Sequence, residues 1–201
     1  MWNRKLCLYA NMNRYIPDTI RMIDHAGFDE VFFPWNAKNP VEECAAAAKE
    51  SHLTIQSVHG SFTRAADMWS EDKTKGDAAL QELKDCLLFC AKHEVPIMIA
   101  HCFIGFDTHT QPTAAGIERF GELIRFADKY GVKVALENTE GEEYLAALME
   151  VYRSESSVGF CWDTGHEMCY NHSKDMLALY GDKLICTHLN DNLGIRRHPD
   201  L

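Results

Sequence analysis

Short apolar runs recur along the chain with room for one helix between each pair. "LCLYA" (6–10), "DEVFFPW" (29–35), "LTIQSVHGSF" (53–62), "PIMIAHCF" (96–103), "VKVALEN" (132–138), "VGFCWDT" (158–164) and "LICTHLN" (184–190) read as seven strands. They are nearly continuous in Val, Ile, Leu and Phe, the pattern of strands covered on both faces. Helical segments lie between them. In "NPVEECAAAAKESH", Asn39 can cap, Pro40 suits the first helical position and Glu42 can complete a capping box. "PDTIRMIDHAG" and "TAAGIERFGELIRFADKYG" end in Gly27 and Gly131, where a left-handed cap needs no Cβ. The second sets Ile117, Phe120, Ile124 and Ala127 on one face, the stripe of a helix packed on a sheet.

Strand–helix alternation from end to end predicts an α/β fold with a parallel sheet. A doubly wound sheet would carry a glycine-rich phosphate loop after its first strand, and "LYANMNRYIPD" has no such glycines. A TIM-type (β/α) barrel instead places polar residues at the C-terminal ends of many strands, as this chain does repeatedly. We therefore expect one barrel domain over residues 1–201, without a recognisable eighth β-α unit. The segments "GSFTRAADMWSEDKTKGD" and "IGFDTHTQPT" are long enough to serve as lids or substrate walls.

Composition narrows the function. With 201 residues, 46% hydrophobic and 25% charged, the chain can bury one sizeable core. A formal net charge of −10 disfavours nucleic acid as a partner, because such affinity comes mostly from Lys and Arg on phosphates. No window is long and apolar enough for a membrane span, and "MWNRKLCLYANMN" lacks a signal peptide's hydrophobic region, so a cytoplasmic protein is the simplest reading. The eight cysteines (Cys7, Cys44, Cys86, Cys90, Cys102, Cys161, Cys169 and Cys186) include no C-x-x-C pair. They read as buried thiols of a reducing compartment.

Candidate chemistry collects at the strand ends: His59 in "SVHGS", His101 in "IAHCF", Glu137 in "ALENT", Asp163 and His166 in "WDTGH", and His188 and Asp191 in "THLND". In a barrel these share one bowl, and imidazoles with carboxylates suit Mn²⁺, Mg²⁺, Co²⁺ or Zn²⁺ without any cysteine ligand. Each residue also has a plainer role. A lone strand-end His is usually just hydrogen-bonded, and Asp163 can cap the next segment through an Asx turn. A carboxylate directly after "VKVAL" is harder to explain away, because a buried charge needs a partner. Five strands delivering such groups at one end make a joint case stronger than any member. Trp35, Phe62, Trp69 and Phe103 are candidate apolar walls, although aromatic residues near strand ends more often pack in the core or a loop; Arg196 or Arg197 could grip a phosphate, although a terminal Arg pair is usually just solvated.

"ALENT", "CWDTGHE" and "THLNDN", with "VHGSF" and "AHCF" upstream, resemble the sugar phosphate isomerase/epimerase group of the xylose-isomerase-like barrels, in order along essentially the whole chain. The resemblance implies a metal held by Glu137, Asp163 and His188, with Glu137 also an acid/base. His166 matches a substrate-contacting position, which binds a further metal in the related apurinic-site endonucleases. His59 and His101 match pocket positions that are extra zinc ligands in those enzymes. The implied chemistry is proton transfer beside a carbonyl through a metal-stabilised enediolate on a sugar or sugar phosphate.

In that family the opposing Glu comes from the eighth strand, and an Asp-x-His pair commonly follows the seventh; Asp200 could be the first half of that pair. Barrels of this kind run to about 250 residues. The alternatives are a phosphodiesterase like the apurinic-site endonucleases, with up to three Zn²⁺, and a non-catalytic seven-stranded barrel whose open edges invite a homo-oligomer.

Overall fold

The structure, a computed structural model, describes residues 5–10, 15–35, 38, 40–105, 111–171 and 174–192. All seven expected strands are present: β1 (Cys7–Tyr9), β2 (Glu30–Pro34), β3 (Thr54–His59), β4 (Ile97–His101), β5 (Lys133–Glu137), β6 (Val158–Asp163) and β7 (Leu184–His188). They form one parallel sheet in the order β1-β2-β3-β4-β5-β6-β7. Each neighbouring pair is joined by a crossover, so consecutive strands lie side by side and the sheet curls as a TIM-type barrel does. Among the described residues β1 and β7 are not paired, and the barrel is open along that seam. Leu6, Leu8, Leu184 and Leu189 are exposed there.

The helices are α1 (Ile16–His25), α2 (Val41–Glu50), α3 (Lys73–Lys92), α4 (Ala114–Lys129), α5 (Glu142–Tyr152), α6 (Thr164–Tyr170) and α7 (Met176–Tyr180). The main core lies between them and the outer face of the sheet, with Phe33, Val58, Met98, Leu136 and Phe160 facing Ile20, Leu87, Phe120 and Leu148. The barrel interior has a smaller core of Ile97, Ile99, Ala135, Cys161 and Cys186. Period-two alternation divides these two sets along the same strands.

Local chemistry explains most element ends. Gly27 and Gly131 have φ of +82° and +69°, the left-handed conformation the sequence predicts after α1 and α4. Asp72 caps α3 by accepting from the Thr74 and Lys75 amides, and Thr113 caps α4 through the Gly116 amide. Helix α2 departs from expectation. Pro40 stands at its N-cap position, one residue before the first helical one. Glu42 accepts from Lys92 Nζ at 2.7 Å and pairs with His93 Nε2 at 3.0 Å. Asn39 lies outside the described residues.

The segment after β3, expected as a lid, is packed. It forms a short 3-10 helix over Ala66–Trp69, with Met68 and Trp69 buried. Trp69 Nε1 donates to the Cys102 carbonyl at 2.7 Å, and the nearly buried Arg119 donates to the Met68 and Ser70 carbonyls at 2.8 and 2.7 Å. Of the second candidate lid, residues 106–110 lie outside the described set.

Trp69 also covers Gly116 on α4, where a methyl group would run into the indole ring. Gly116→Ala gains helix propensity of about 1 kcal/mol but overpacks a ring pinned by its hydrogen bond, at a cost of about 1–3 kcal/mol. We expect net destabilisation, read as a lower urea midpoint with an unchanged slope.

Candidate metal centre

The last residues of β3, β4, β5, β6 and β7 all carry a charged or ligating side chain. Parallel register brings them to one level: His101 stands opposite Glu137 across β4/β5, and Asp163 opposite His188 across β6/β7. Glu137 is the hub, fully buried. Its Oε2 faces His59 Nε2 at 3.1 Å and His101 Nε2 at 3.2 Å. Its Oε1 faces His188 Nδ1 at 3.0 Å and His166 Nδ1 at 3.4 Å. Asp163 Oδ2 lies 3.6 Å from His188 Nδ1 and 3.9 Å from His166 Nδ1.

The second shell holds this ring in place. Asn138, buried directly after Glu137, clasps the backbone of Asp163 from both sides: its Oδ1 accepts from the Asp163 amide at 2.8 Å and its Nδ2 donates to the Asp163 carbonyl at 2.9 Å. The Asn138 carbonyl faces His166 Nδ1 at 3.0 Å. Asp163 serves both roles read from its sequence. Its Oδ1 accepts from the His166 amide at 2.7 Å and caps α6, which leaves Oδ2 turned toward the ring. Phe32 stacks on His188 with centroids 4.8 Å apart, and Phe62 stacks on His101 at 5.1 Å, fixing both imidazole planes.

His59 exposes the chemistry of the arrangement. Its Nδ1 lies 2.9 Å from the Gly60 carbonyl and its Nε2 lies 3.1 Å from the Glu137 carboxylate, and both partners are pure acceptors. A neutral imidazole carries one N–H and can satisfy only one of them. Which of the two it serves depends on the tautomer. A backbone carbonyl on one ring nitrogen is also how metal-bound histidines are usually oriented. Among the described residues His101 Nδ1 and His188 Nε2 are buried with no hydrogen-bond partner.

Electrostatics follow from burial and crowding. Burial alone would raise Glu137, but charge and hydrogen bonds from His101, His166 and His188 outweigh it and hold the carboxyl well below its usual range. Burial pulls His101 down, partly offset by Glu137. His166 and His188 also pay for desolvation, yet their carboxylate partners raise them to about 9 and about 10. The donor set of oxygens and imidazole nitrogens can hold a divalent ion: in His59–His101–Glu137 and in Glu137–Asp163–His166 the ligand atoms lie within 4.8 Å of one another.

The ring opens on a cavity of about 890 Å³ that runs down the β1/β7 seam. Glu140, Phe32, Gln56, Ile104 and Tyr170 line it, none of them singled out from sequence. Phe62 lines it as expected. Trp35, Trp69 and Phe103 do not: they are buried in the core between sheet and helices, which corrects their reading as pocket walls. Asp191 is exposed and sits outside the cavity lining. Arg196, Arg197 and Asp200 lie outside the described residues.

Fold and ring together define a parallel β/α barrel with ligating groups at the C-terminal strand ends. The family model described as "Xylose isomerase-like TIM barrel" matches residues 18–200, and the chain belongs to that family. It is 27% identical over 179 residues to the uncharacterized protein y4fM of Sinorhizobium fredii, a match covering 80% of this chain and 53% of that one. The chain thus spans about half the length of this curated relative. Among solved structures, it resembles a D-tagatose 3-epimerase-like protein with a TM-score of 0.74 and 17% identity, over 96% of this chain and 78% of that one. It also resembles a D-allulose 3-epimerase from Methylomonas sp., bound to D-allulose, with a TM-score of 0.71 and 18% identity, over 92% and 71%. A third is the 3-keto-D-glucoside 4-epimerase YcjR from E. coli, with a TM-score of 0.68 and 19% identity, over 94% and 78%. At these identities the structural likeness establishes the fold.

The raised imidazoles give a pH test on the metal-free protein. Groups whose folded pKa lies above the unfolded value of 6.5 stabilise fully below that pH and lose the effect as pH rises through about 9 and 10. Glu137, depressed below 4.5, acts in the opposite sense and loses its contribution on acidification. His101, depressed below 6.5, also loses stability on acidification, so the metal-free thermal midpoint should be highest near pH 6.5, fall toward pH 10 and fall again below about pH 6. Metal affinity should rise over the same alkaline range, because the ligating nitrogens must shed protons. Melting curves and metal titrations from pH 5 to 10 check both slopes.

Proposed function

We propose that this chain is the metal-binding body of an isomerase or epimerase acting on a ketose, an aldose or a sugar phosphate by proton transfer beside the carbonyl. The observation that carries the reading is the convergence of four imidazoles, His59, His101, His166 and His188, on the carboxylates of Glu137 and Asp163 at the mouth of a cavity. The family and its sugar-epimerase neighbours support the substrate class.

Glu137, Asp163 and His188 are the residues that would hold the ion, since Glu137 Oε1 and Asp163 Oδ2 converge on His188 Nδ1. A divalent ion bound there would polarise the carbonyl and an adjacent hydroxyl of the sugar, making the neighbouring C–H more acidic. The protein supplies the rest. Glu137 remains ionised over the physiological range; its Oε1 faces His188, and its Oε2, held between His59 and His101, is the oxygen that would take the proton. His166, with 26% of its side chain accessible, reaches the cavity and is placed to contact the substrate. Phe62 and Tyr170 form apolar walls that orient the sugar, as rings do in carbohydrate pockets.

A second reading is an apurinic-site endonuclease-like phosphodiesterase with up to three Zn²⁺. It is favoured by the convergence of His59 and His101 on the same carboxylate oxygen. The net charge of −10 and the carboxylate-centred ring weigh against a polyanionic substrate. A third is a barrel without activity of its own, favoured by the unpaired β1 and β7 edges among the described residues.

The test uses metal-loaded protein with ketoses and ketose phosphates in deuterated water. We expect Mn²⁺ binding and solvent exchange of a hydrogen on the carbon beside the carbonyl, and Glu137→Gln should abolish that exchange, a loss on the order of 10²–10⁴-fold. A protein that binds no divalent ion, exchange that survives Glu137→Gln, or a tri-zinc centre that cleaves phosphodiesters would overturn the proposal.

A further inference from the structure

The ring of carboxylates and imidazoles has a floor of sulfur. Cys161 lies two residues before Asp163 on β6, and Cys186 two residues before His188 on β7, so strand alternation points both thiols into the barrel one layer down. Cys161 and Cys186 are direct partners in the β6/β7 ladder and their thiols are within hydrogen-bonding range. Cys161 is also the register partner of Glu137 across β5/β6. Ligand atoms of Glu137, Cys161 and His188 lie within 4.8 Å of one another. Cys161 is fully buried and Cys186 is 7% exposed, among Ile97, Ile99 and Ala135, none of which offers a polar side chain. His188, stacked above them, keeps a buried Nε2 without a partner among the described residues.

We propose that Cys161 and Cys186, with Glu137 and His188, form a cation position beneath the carboxylate–imidazole ring that takes thiophilic divalent ions such as Zn²⁺ or Cd²⁺ in preference to Mg²⁺ or Mn²⁺. Two thiolates, one imidazole and one carboxylate make a four-ligand set of the borderline-to-soft type, whereas hard ions prefer the oxygen-rich level above. Binding forms two metal–sulfur bonds and releases the two thiol protons to solvent, with no change of oxidation state. The other buried cysteine pair, Cys86 and Cys90 on α3, faces the main core with Leu83 and Leu87, and among the described residues it belongs to no cluster that could hold a metal. It provides the internal control.

The experiment titrates Cd²⁺ into metal-free protein at neutral pH. It follows the ultraviolet thiolate-to-cadmium charge-transfer band and the ¹¹³Cd resonance. The expected result is a band that saturates at one ion per chain and a resonance in the sulfur-ligated range. Cys161→Ser and Cys186→Ser should each remove about half of the band per bound ion, because intensity follows the number of Cd–S bonds. The Cys86→Ser/Cys90→Ser double variant should keep it. A ¹¹³Cd signal in the oxygen/nitrogen range, or a band that survives the Cys161→Ser/Cys186→Ser double variant, overturns the proposal. Should the serine variants not fold, the wild-type ¹¹³Cd position decides alone. Mn²⁺ binding without any thiolate signature from Cd²⁺ sinks this site and leaves the sugar-enzyme reading standing, since no substrate enters the measurement.

Discussion

One buried charge organises this protein. Glu137 has 1% of its side chain accessible, and an ionised carboxylate at such depth is sustained only by compensating partners. Four imidazoles provide them, from β3, β4, β7 and the start of α6. Removing any one leaves an acceptor lone pair facing the barrel interior. Every strand from β3 to β7 must therefore arrive in register within a few tenths of an ångström, and the fold's parallel ladders meet that demand.

Support for the charge passes outward through backbone atoms. Asn138 follows Glu137 and holds Asp163 by both its amide and its carbonyl, while its own carbonyl faces His166. Asn171 donates to the Thr139 carbonyl at 3.1 Å and accepts from Asn138, closing the network behind the ring. Two register shifts, in β2 between Val31 and Phe32 and in β6 between Phe160 and Cys161, fall just before the site-bearing ends. Such shifts re-aim side chains near functional sites. Here they bring Phe32 onto His188 and Asp163 beside it.

Much of this was legible in the sequence, for a physical reason. Continuous apolar runs mark doubly covered strands, and a His or carboxylate ending five of them marks the rim. All seven strands could be read from the runs, and the ring from those five ends together with His166 three residues beyond Asp163. Whatever depended on contacts between distant segments could not. Glu42 looked like half of a capping box, and its charge went to Lys92 and His93, 50 and 51 residues away. Trp35 looked like a pocket wall because it ends a strand, but its large apolar ring gains more in the core. The stretch between β6 and β7 holds two short helices that no sequence pattern announced. Asn138 was visible only as the residue after Glu137. Its role depends on Asp163, 25 positions on, which periodicity cannot reveal.

The open seam bears on how strongly the ring can act. Electrostatic stabilisation in an active site depends on a water-poor surround, and Coulomb interactions weaken several-fold as the effective dielectric rises. Here the cavity under Glu137 reaches solvent between β1 and β7, past the exposed Leu8 and Leu184. Phe32 and Tyr9, with ring centroids 4.9 Å apart, shield His188 on the β1 side only. A strand in the seam would add ladder partners to both edges and also exclude water from beside His188. Such a strand would also sharpen the field of Glu137. The strength of the ring's electrostatics and the closure of the barrel are thus coupled through solvent access.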